Sequence, residues 1–172
     1  MATVADVWWI VKDHQMHYQL SVREAEMIIT RIQELLTMTS CADGNTLKYI
    51  AGFLTPVTYR MIVLSRNLQA GKCGYPLCRR FLTDDVYTSP ESCCYCSDYH
   101  YRCSKYISIQ LYDEDLEERL GQHLRKAYDD DDSSYKYKVD LLEQYTEALD
   151  TEELDGLSSS FTSLGIRSNN IY

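Results

Sequence analysis

Two short segments of this chain carry the cysteine and histidine residues that most restrict how it can fold. The first, CGYPLCRR, spaces Cys73 and Cys78 as C-x4-C, and the second, CCYCSDYHYRCSKY, spaces Cys96 and His100 as C-x3-H. Residues four apart on a helix share a face, so Cys96 and His100 are expected to point the same way if the helix begins at Ser97 or just before it. Two such pairs suit the closed tetrahedral coordination of zinc. We therefore predict one structural Zn²⁺ held by Cys73, Cys78, Cys96 and His100.

The third zinc ligand has alternatives in the same segment. Cys93 and Cys94 lie close enough in sequence that either one could replace Cys96. Spacing alone leaves this choice open.

A second interpretation of the first segment is a cysteine phosphatase loop, because Cys73 and Arg79 also satisfy C-x5-R. In such a loop a thiolate attacks phosphorus while successive backbone N–H groups surround the phosphate. Pro76 removes one of those donors, and Cys78 is required by the predicted metal site. We favour zinc binding over a cysteine nucleophile at this position.

The composition predicts a globular protein of a reducing compartment. The chain has 172 residues, 45% of them apolar, which is enough for one domain with a substantial core. Seven cysteines without a recognisable secretory signal indicate the cytoplasm or the nucleus. The apolar run at residues 7–11 is far shorter than the roughly 20 residues of a membrane span, so we expect no membrane association.

Charge is distributed unevenly along the chain. The formal net charge is -9, which is unfavourable for direct binding of DNA or RNA. Between Asp43 and Asp84, however, there is no acidic residue. The six basic residues of this interval are Lys48, Arg60, Arg66, Lys72, Arg79 and Arg80. This basic segment predicts a local site for an anion such as a phosphate group, although solvated helix faces would show the same pattern.

Hydrophobic periodicity predicts a mainly α-helical domain around the zinc site. Helices are expected over residues 5–19, from the capping residue Ser21 through residue 36, and over residues 46–54. A further helix should begin after Thr55 and end near residue 67. Beyond the cysteines we expect helices over residues 97–111, 139–149 and 152–164, and a short one capped by Asp113.

We divide the predicted single domain, residues 1–172, into three parts. Residues 1–68 form N-terminal helices, residues 69–112 the zinc-binding region, and residues 113–172 C-terminal helices. The last part contains an acidic loop at 129–134, where four aspartates precede two serines. At most a short β-hairpin is expected, between the two ligand pairs.

The joined metal motifs, together with the upstream segments NTLKYIAGFLTPVTY and RNL, resemble the atypical RNA polymerase II C-terminal-domain phosphatases. This family includes the yeast regulator-of-transcription proteins and the related polymerase-associated protein of animals. The resemblance extends over nearly the whole chain and is closest to the short fungal members. It implies the same four zinc ligands in a mainly helical fold.

The resemblance also implies an activity and a partner. The expected activity is removal of phosphate from phosphoserine, chiefly at the fifth position of the heptad repeats in the largest subunit of RNA polymerase II. The expected partner is RNA polymerase II with its phosphorylated tail, and the expected location is both cytoplasm and nucleus, between which the protein would shuttle.

Phosphate-ester hydrolysis requires positive charge around the phosphate and a proton donor. As candidate catalytic residues we name Arg66, Tyr59 and Tyr101, and as candidate phosphate-binding residues Arg60, Arg79 and Arg80. A competing hypothesis is a non-catalytic zinc module that binds RNA polymerase II or its phosphorylated tail and assists its assembly or nuclear import.

Overall fold

The computed structural model describes residues 1–82, 93–126 and 136–146 of the chain. Their α-helices are α1 (Val4–Val11), α2 (Val22–Met38), α3 (Gly44–Ala51), α4 (Pro56–Ala70), α5 (Asp98–Ser108) and α6 (Leu142–Thr146). Short 3-10 helices cover Lys12–His14, Leu116–Glu118 and Gln122–Leu124. Within the described ranges, strand-type pairing is limited to two isolated bridges, Ala2 with Cys41 and Lys72 with Phe81. The prediction of a mainly helical fold is confirmed.

The chain divides into two compact units, Met1–Leu141 and Leu142–Tyr172. The first contains α1 to α5, and α6 is the described part of the second. The proposal that residues 1–172 form one domain therefore stays a prediction. No helix among the described residues is long and apolar enough to cross a membrane.

The core of the first unit is built where α2 packs against α4, the most extensive helix pair of the structure. Apolar side chains at three- and four-residue steps give each helix one buried face. On α2 this face consists of Ala25, Ile28, Ile32 and Leu36, all of them almost fully buried. α1 lies against α2 and α3 through Val7 and Val11, which are fully buried.

The predicted capping residues begin the two long helices. The Ser21 hydroxyl accepts a hydrogen bond from the backbone N–H of Glu24, whose carboxylate accepts one from the Ser21 backbone N–H, so both halves of the capping box are present. Thr55 caps α4 in the same way, with Pro56 at its first position. α4 continues to Ala70 and ends at Gly71, whose φ of 60° is the left-handed conformation that glycine adopts at low cost.

Several expected elements differ in the structure. The helix expected over residues 5–19 ends at Val11 in the structure. One 3-10 turn follows it, and residues 15–19 are not helical. The turn near Leu116 is a 3-10 helix preceded by Asp115, so the prediction that Asp113 caps it is wrong. The predicted hairpin, the acidic loop and the helix over 152–164 fall mostly or entirely outside the described residues.

Candidate metal centre and adjoining groove

Four side chains converge on one point beside the core. The possible ligand atoms of Cys73, Cys78, Cys96 and His100 all lie within 4.8 Å of one another. The Sγ atoms of Cys78 and Cys96 are 3.6 Å apart, and the Nδ1 atom of His100 lies 3.0 Å from Cys96 Sγ and 3.8 Å from Cys73 Sγ. These are the four residues predicted from spacing, with Cys96 as the third ligand rather than Cys93 or Cys94.

The geometry of the cluster fits a zinc ion. A tetrahedral site with Zn–S bonds of about 2.3 Å places its sulfur ligands roughly 3.7 Å apart, close to the observed spacing. Backbone N–H groups also point at the sulfur atoms, from Cys96 to Cys73 Sγ at 3.5 Å and from Arg80 to Cys78 Sγ at 3.4 Å. Such donors orient thiolates and stabilise their charge. When bound, zinc would have four protein ligands and would supply folding energy rather than an open position for substrate.

The loop that carries the first two ligands is held closed by backbone hydrogen bonds. Cys73 N–H donates to the carbonyl of Arg80 at 2.9 Å, and Cys78 N–H to that of Tyr75 at 2.9 Å. Gly74 N–H reaches the Cys94 carbonyl at 2.7 Å, which ties this loop to the segment before α5. A Cβ at Gly74 would lie 2.6 Å from the Val63 side chain, so the tight approach requires glycine.

α5 supplies the fourth ligand from its first turn. The Ser97 hydroxyl caps this helix by accepting the backbone N–H of His100 at 3.2 Å. The His100 ring lies against the rings of Tyr75 and Tyr99, with centroids 5.5 and 5.9 Å away. Capping and packing thus orient the imidazole before any metal binds.

The thiols of the first ligand pair are electrostatically unequal. A hydrogen bond from the Cys73 side chain lowers the pKa of Cys78, and contacts with His100 and with the backbone N–H of Arg80 lower it further. The same hydrogen bond, together with burial, raises the pKa of Cys73. Zinc binding would displace the proton that the pair retains.

Arg66 is completely buried between this loop and the end of α2. Its Nε donates to the Cys73 carbonyl at 2.9 Å, and its terminal nitrogens donate to the Cys78 carbonyl at 2.9 Å and to the Ser40 hydroxyl at 3.0 Å. Two further hydrogen bonds reach the carbonyls of Leu36 and Thr39, at the C-terminal end of α2. All five guanidinium N–H donors are therefore used.

This arrangement contradicts the expectation that Arg66 contacts a phosphate group in a catalytic role. A fully buried guanidinium with no remaining donor cannot bind an anionic ligand. Its charge instead faces four carbonyl oxygens, two of them at the negative end of the α2 dipole. The sequence carries a signal for this burial, because Arg66 stands three, four and seven residues after Val63, Ile62 and Tyr59, all on the buried face of α4.

The periodicity analysis missed a second buried arginine, Arg119, which is 2% exposed. It lies after a 3-10 turn, where helical spacing gives no indication of burial. Its terminal nitrogens donate to the carbonyls of Gly52 and Leu54 at 2.8 and 3.1 Å, which fixes the turn between α3 and α4. It is therefore a structural residue rather than a binding residue.

A groove of about 630 Å³ opens between α4, α5 and the segment before α5. Its described walls include Tyr59, Arg60, Tyr101, Ser104 and Lys105, and no acidic residue is found among them. Both cationic side chains are exposed, and neither is ion-paired with another residue in the described ranges. The Lys105 Nζ atom lies 5.7 Å from the centre of the Tyr101 ring. The groove thus combines positive charge with aromatic surface.

Three hydroxyl groups form a chain beneath the groove. The Ser104 oxygen lies 3.0 Å from the hydroxyl oxygens of both Tyr59 and Tyr95. Burial raises the pKa of Tyr59 well above its ordinary value and that of Tyr95 to about 12. Both phenols therefore stay protonated at neutral pH.

The structure brings some of the predicted anion-binding residues together and separates others. Tyr59, Arg60 and Tyr101 all line the groove. Arg79 and Arg80 are exposed on the metal loop and are not among the described lining residues. Ser104 and Lys105 are not among the site residues predicted from the sequence. They stand three and four residues after Tyr101 on the same face of α5, and this helical spacing is the signal that indicates them.

A curated relative covers almost the whole chain. The RNA polymerase II subunit B1 CTD phosphatase RTR1 of Saccharomyces cerevisiae is 36% identical over 188 residues, which span 96% of this chain and 81% of the relative. The chain belongs to the Rtr1 family. RTR2 of the same yeast, which has the same descriptive name, is 38% identical over 141 residues, spanning 78% of this chain and 68% of the relative. No family model matches the sequence.

Solved structures of Rtr1 have the same fold. The crystal structure of Saccharomyces cerevisiae Rtr1 superposes with a TM-score of 0.74 at 36% identity, covering 91% of this chain and 98% of that one. Rtr1 from Kluyveromyces lactis gives a TM-score of 0.71 at 35% identity, covering 83% and 99%. The predicted family and fold are both confirmed.

Proposed function

We propose that this protein is a zinc-stabilised phosphatase of the phosphorylated C-terminal repeats of RNA polymerase II, acting chiefly on phosphoserine at the fifth heptad position. The observation that carries the proposal is the groove, in which Arg60 and Lys105 face an aromatic wall without a described acidic residue. Support for the substrate comes from the Rtr1 relatives, which are named as phosphatases of that polymerase tail. The protein would act in both nucleus and cytoplasm.

A water molecule would attack phosphorus as the ester bond to serine breaks, and Arg60 and Lys105 would neutralise the phosphate oxygens. Tyr101, beside Lys105, would donate a proton to the departing serine oxygen. Tyr59 is 2% exposed and its hydroxyl contacts Ser104, so its role would be to hold Ser104 rather than to touch the substrate. Zinc would fix α5, and with it the wall that carries Tyr101.

One observation favours the competing function of a non-catalytic phosphopeptide-binding module. The described groove wall contains no carboxylate or histidine that could orient an attacking water. Arg66, the arginine that contacts the metal loop from α4, is occupied by backbone carbonyls. A module of this kind would bind RNA polymerase II or its phosphorylated tail and assist its assembly or import.

The deciding experiment measures binding and phosphate release on the same protein preparations. The substrate is a heptad-repeat peptide with a single phosphoserine at position five, and the variants are Tyr101→Phe and Lys105→Ala with zinc content determined for each. We expect Tyr101→Phe to retain peptide binding and to lose phosphate release by about 10²-fold or more. Binding without release above background in the wild type would establish the non-catalytic module.

A further inference from the structure

Cys93 and Cys94 have no part in the metal centre. The cluster uses three of the seven cysteines. Two of the remaining four, Cys41 and Cys103, are buried in the core, whereas Cys93 and Cys94 are partly exposed. The two accessible thiols outside the metal set are therefore neighbours in sequence.

These two thiols also lie close together in space. Their Sγ atoms are 4.0 Å apart, and both residues line the groove that contains Arg60 and Lys105. The Cα atoms of adjacent residues are about 3.8 Å apart, closer than in most disulfides, so an S–S bond of about 2.05 Å between them requires the peptide that joins them to change its conformation. The pair thus combines accessibility, proximity and a position in the candidate substrate site.

We propose that Cys93 and Cys94 form an oxidisable dithiol that controls the groove. Hydrogen peroxide would oxidise one thiol to a sulfenic acid and release one water molecule. The neighbouring sulfur would then attack that sulfur, form the S–S bond and release a second water molecule. A dithiol reductant would reverse the reaction by thiol–disulfide exchange. The effect on phosphate hydrolysis rests on the proposed function, whereas the oxidation itself does not.

The surroundings of the pair explain how a disulfide would reach the groove. The Cys94 carbonyl accepts a hydrogen bond from the Gly74 N–H at 2.7 Å, which holds this carbonyl in place. The backbone change would therefore fall on the peptide between Cys93 and Cys94. Tyr95 comes next in the chain, and its hydroxyl contacts Ser104 at 3.0 Å. Because Cys93 and Cys94 themselves line the groove, closing the disulfide would reshape the wall directly beside Tyr95 and the hydroxyl chain.

The metal centre is less exposed to the same oxidant. Cys73 and Cys78 are buried, and zinc would coordinate their sulfur atoms together with that of Cys96, which is partly exposed. Coordinated and buried thiolates react more slowly with peroxide than accessible free thiols. A low peroxide dose is therefore expected to oxidise the pair while the metal stays bound.

The first test follows mass and metal, and needs no enzymatic activity. Zinc-loaded full-length protein is titrated with hydrogen peroxide, and intact mass, peptide mapping and released zinc are recorded. We expect a disulfide between Cys93 and Cys94 before zinc is released, and no such product in Cys93→Ser or Cys94→Ser. Cys41→Ala, which removes a buried thiol, should behave as the wild type. The proposal would be overturned if zinc were released as soon as the first thiol is oxidised, and if this release were the same in the wild type and in both serine variants.

A trivalent arsenical gives an independent measure of the pair. Phenylarsine oxide condenses with two adjacent thiols, forming two As–S bonds and releasing one water molecule. It should bind reduced wild-type protein in a one-to-one ratio without displacing zinc, and should protect the pair from peroxide. Equal binding to wild type and Cys93→Ser would contradict a convergent dithiol.

The regulatory claim is tested by comparing each protein with its own reduced form. Oxidised wild type should bind and hydrolyse the phosphoserine peptide several-fold less than reduced wild type, with recovery after reduction, whereas the oxidised-to-reduced ratio of Cys93→Ser should stay near one. An oxidised wild type as active as the reduced form would overturn this claim. If neither form binds the peptide, the proposed function fails, and oxidation of the pair is judged by its mass and zinc measurements.

Discussion

The guanidinium of Arg66 donates hydrogen bonds of 2.9 Å to the backbone carbonyls of Cys73 and Cys78, the first two residues of the metal cluster. The same side chain donates to carbonyls at the end of α2. One buried cation therefore joins the metal loop to the principal helix pair of the core. Its positive charge also interacts with the thiols of Cys73 and Cys78, which together with that of Cys96 would place three negative charges around the two positive charges of a zinc ion.

From this relationship we predict that Arg66→Ala lowers the free energy of unfolding by at least about 3 kcal/mol, because five acceptors, four of them in buried hydrogen bonds, lose the Arg66 donor. Zinc affinity should fall by about 10- to 100-fold, as expected when groups that orient ligands are removed. Arg66→Lys should be intermediate, since an ammonium has three donors instead of five. Denaturant unfolding and competition with a zinc chelator measure both effects.

Arg60→Ala is the matched control for this prediction. Arg60 stands on the same helix but is exposed, so its removal should change the free energy of unfolding by less than about 0.5 kcal/mol. Equal destabilisation by the two substitutions would show that the Arg66 hydrogen bonds do not hold the metal loop.

The sequence identified those features of the fold and site that depend on short-range spacing. Cys96 lies two residues before α5 and His100 in its first turn, so their convergence follows from short spacing along the chain, and Ser21 with Glu24 begins α2 for reasons of local hydrogen bonding alone. The role of Arg66 depends instead on which helix α4 packs against. Arg66 lies on the buried face of α4, but its structural role becomes evident only when its hydrogen-bond acceptors are known. Two of these acceptors are at the end of α2, more than 25 residues away in the chain.

The residues of the groove likewise could not be grouped from the sequence alone, because their proximity depends on tertiary packing. The sequence indicates Tyr59 and Tyr101 as separate candidate proton donors, and only the packing of α4 beside α5 shows that they share one groove. Arg79 and Arg80 have the charge expected of phosphate ligands and lie elsewhere on the metal loop. Local composition predicted a basic region, whereas the tertiary fold determines which of its residues meet.

We predict that Cys96→Ser abolishes stoichiometric zinc binding and destabilises the fold by an amount on the order of 10 kcal/mol. A zinc ion held by the four residues would link the loop that carries Cys73 to the start of α5, so its loss should release both elements. Metal analysis and far-ultraviolet circular dichroism, before and after treatment with a chelator, measure the effect. Cys94→Ser is the matched control and should retain one zinc ion. Zinc lost from Cys94→Ser but kept by Cys96→Ser would reassign the third ligand.

In the groove, we predict that Lys105→Ala and Arg60→Ala each weaken phosphopeptide binding by about 1.5 kcal/mol or more, which corresponds to roughly tenfold or more. The physical reason is loss of a charge-assisted hydrogen bond to phosphate. Fluorescence anisotropy with phosphorylated and unphosphorylated peptides measures the loss and its dependence on the phosphate. Arg79→Ala, on the metal loop, should bind as the wild type does. A larger loss in Arg79→Ala would place the phosphate on that loop.

The last prediction concerns the acid stability of α2. Hydrogen bonds from the Ser21 side chain and backbone, and then from His14, hold the pKa of Glu24 at about 2, below its ordinary value of 4.5. Since the folded-state pKa is depressed, the ionised carboxylate stabilises the fold above the unfolded-state value, and this contribution disappears as the pH falls from 4.5 towards 2.

Glu24→Gln isolates this effect, because the amide can still accept the Ser21 hydrogen bonds but does not titrate in this range. The wild type should be more stable than Glu24→Gln at pH 6, and the difference should shrink steadily below about pH 4.5, the ordinary value for this carboxyl group. Denaturant unfolding is measured for both proteins at each pH. Both would release zinc in acid, so this effect does not contribute to the difference between their stabilities. A difference that is constant across the titration would show that Glu24 acts through its shape and hydrogen bonds rather than its charge.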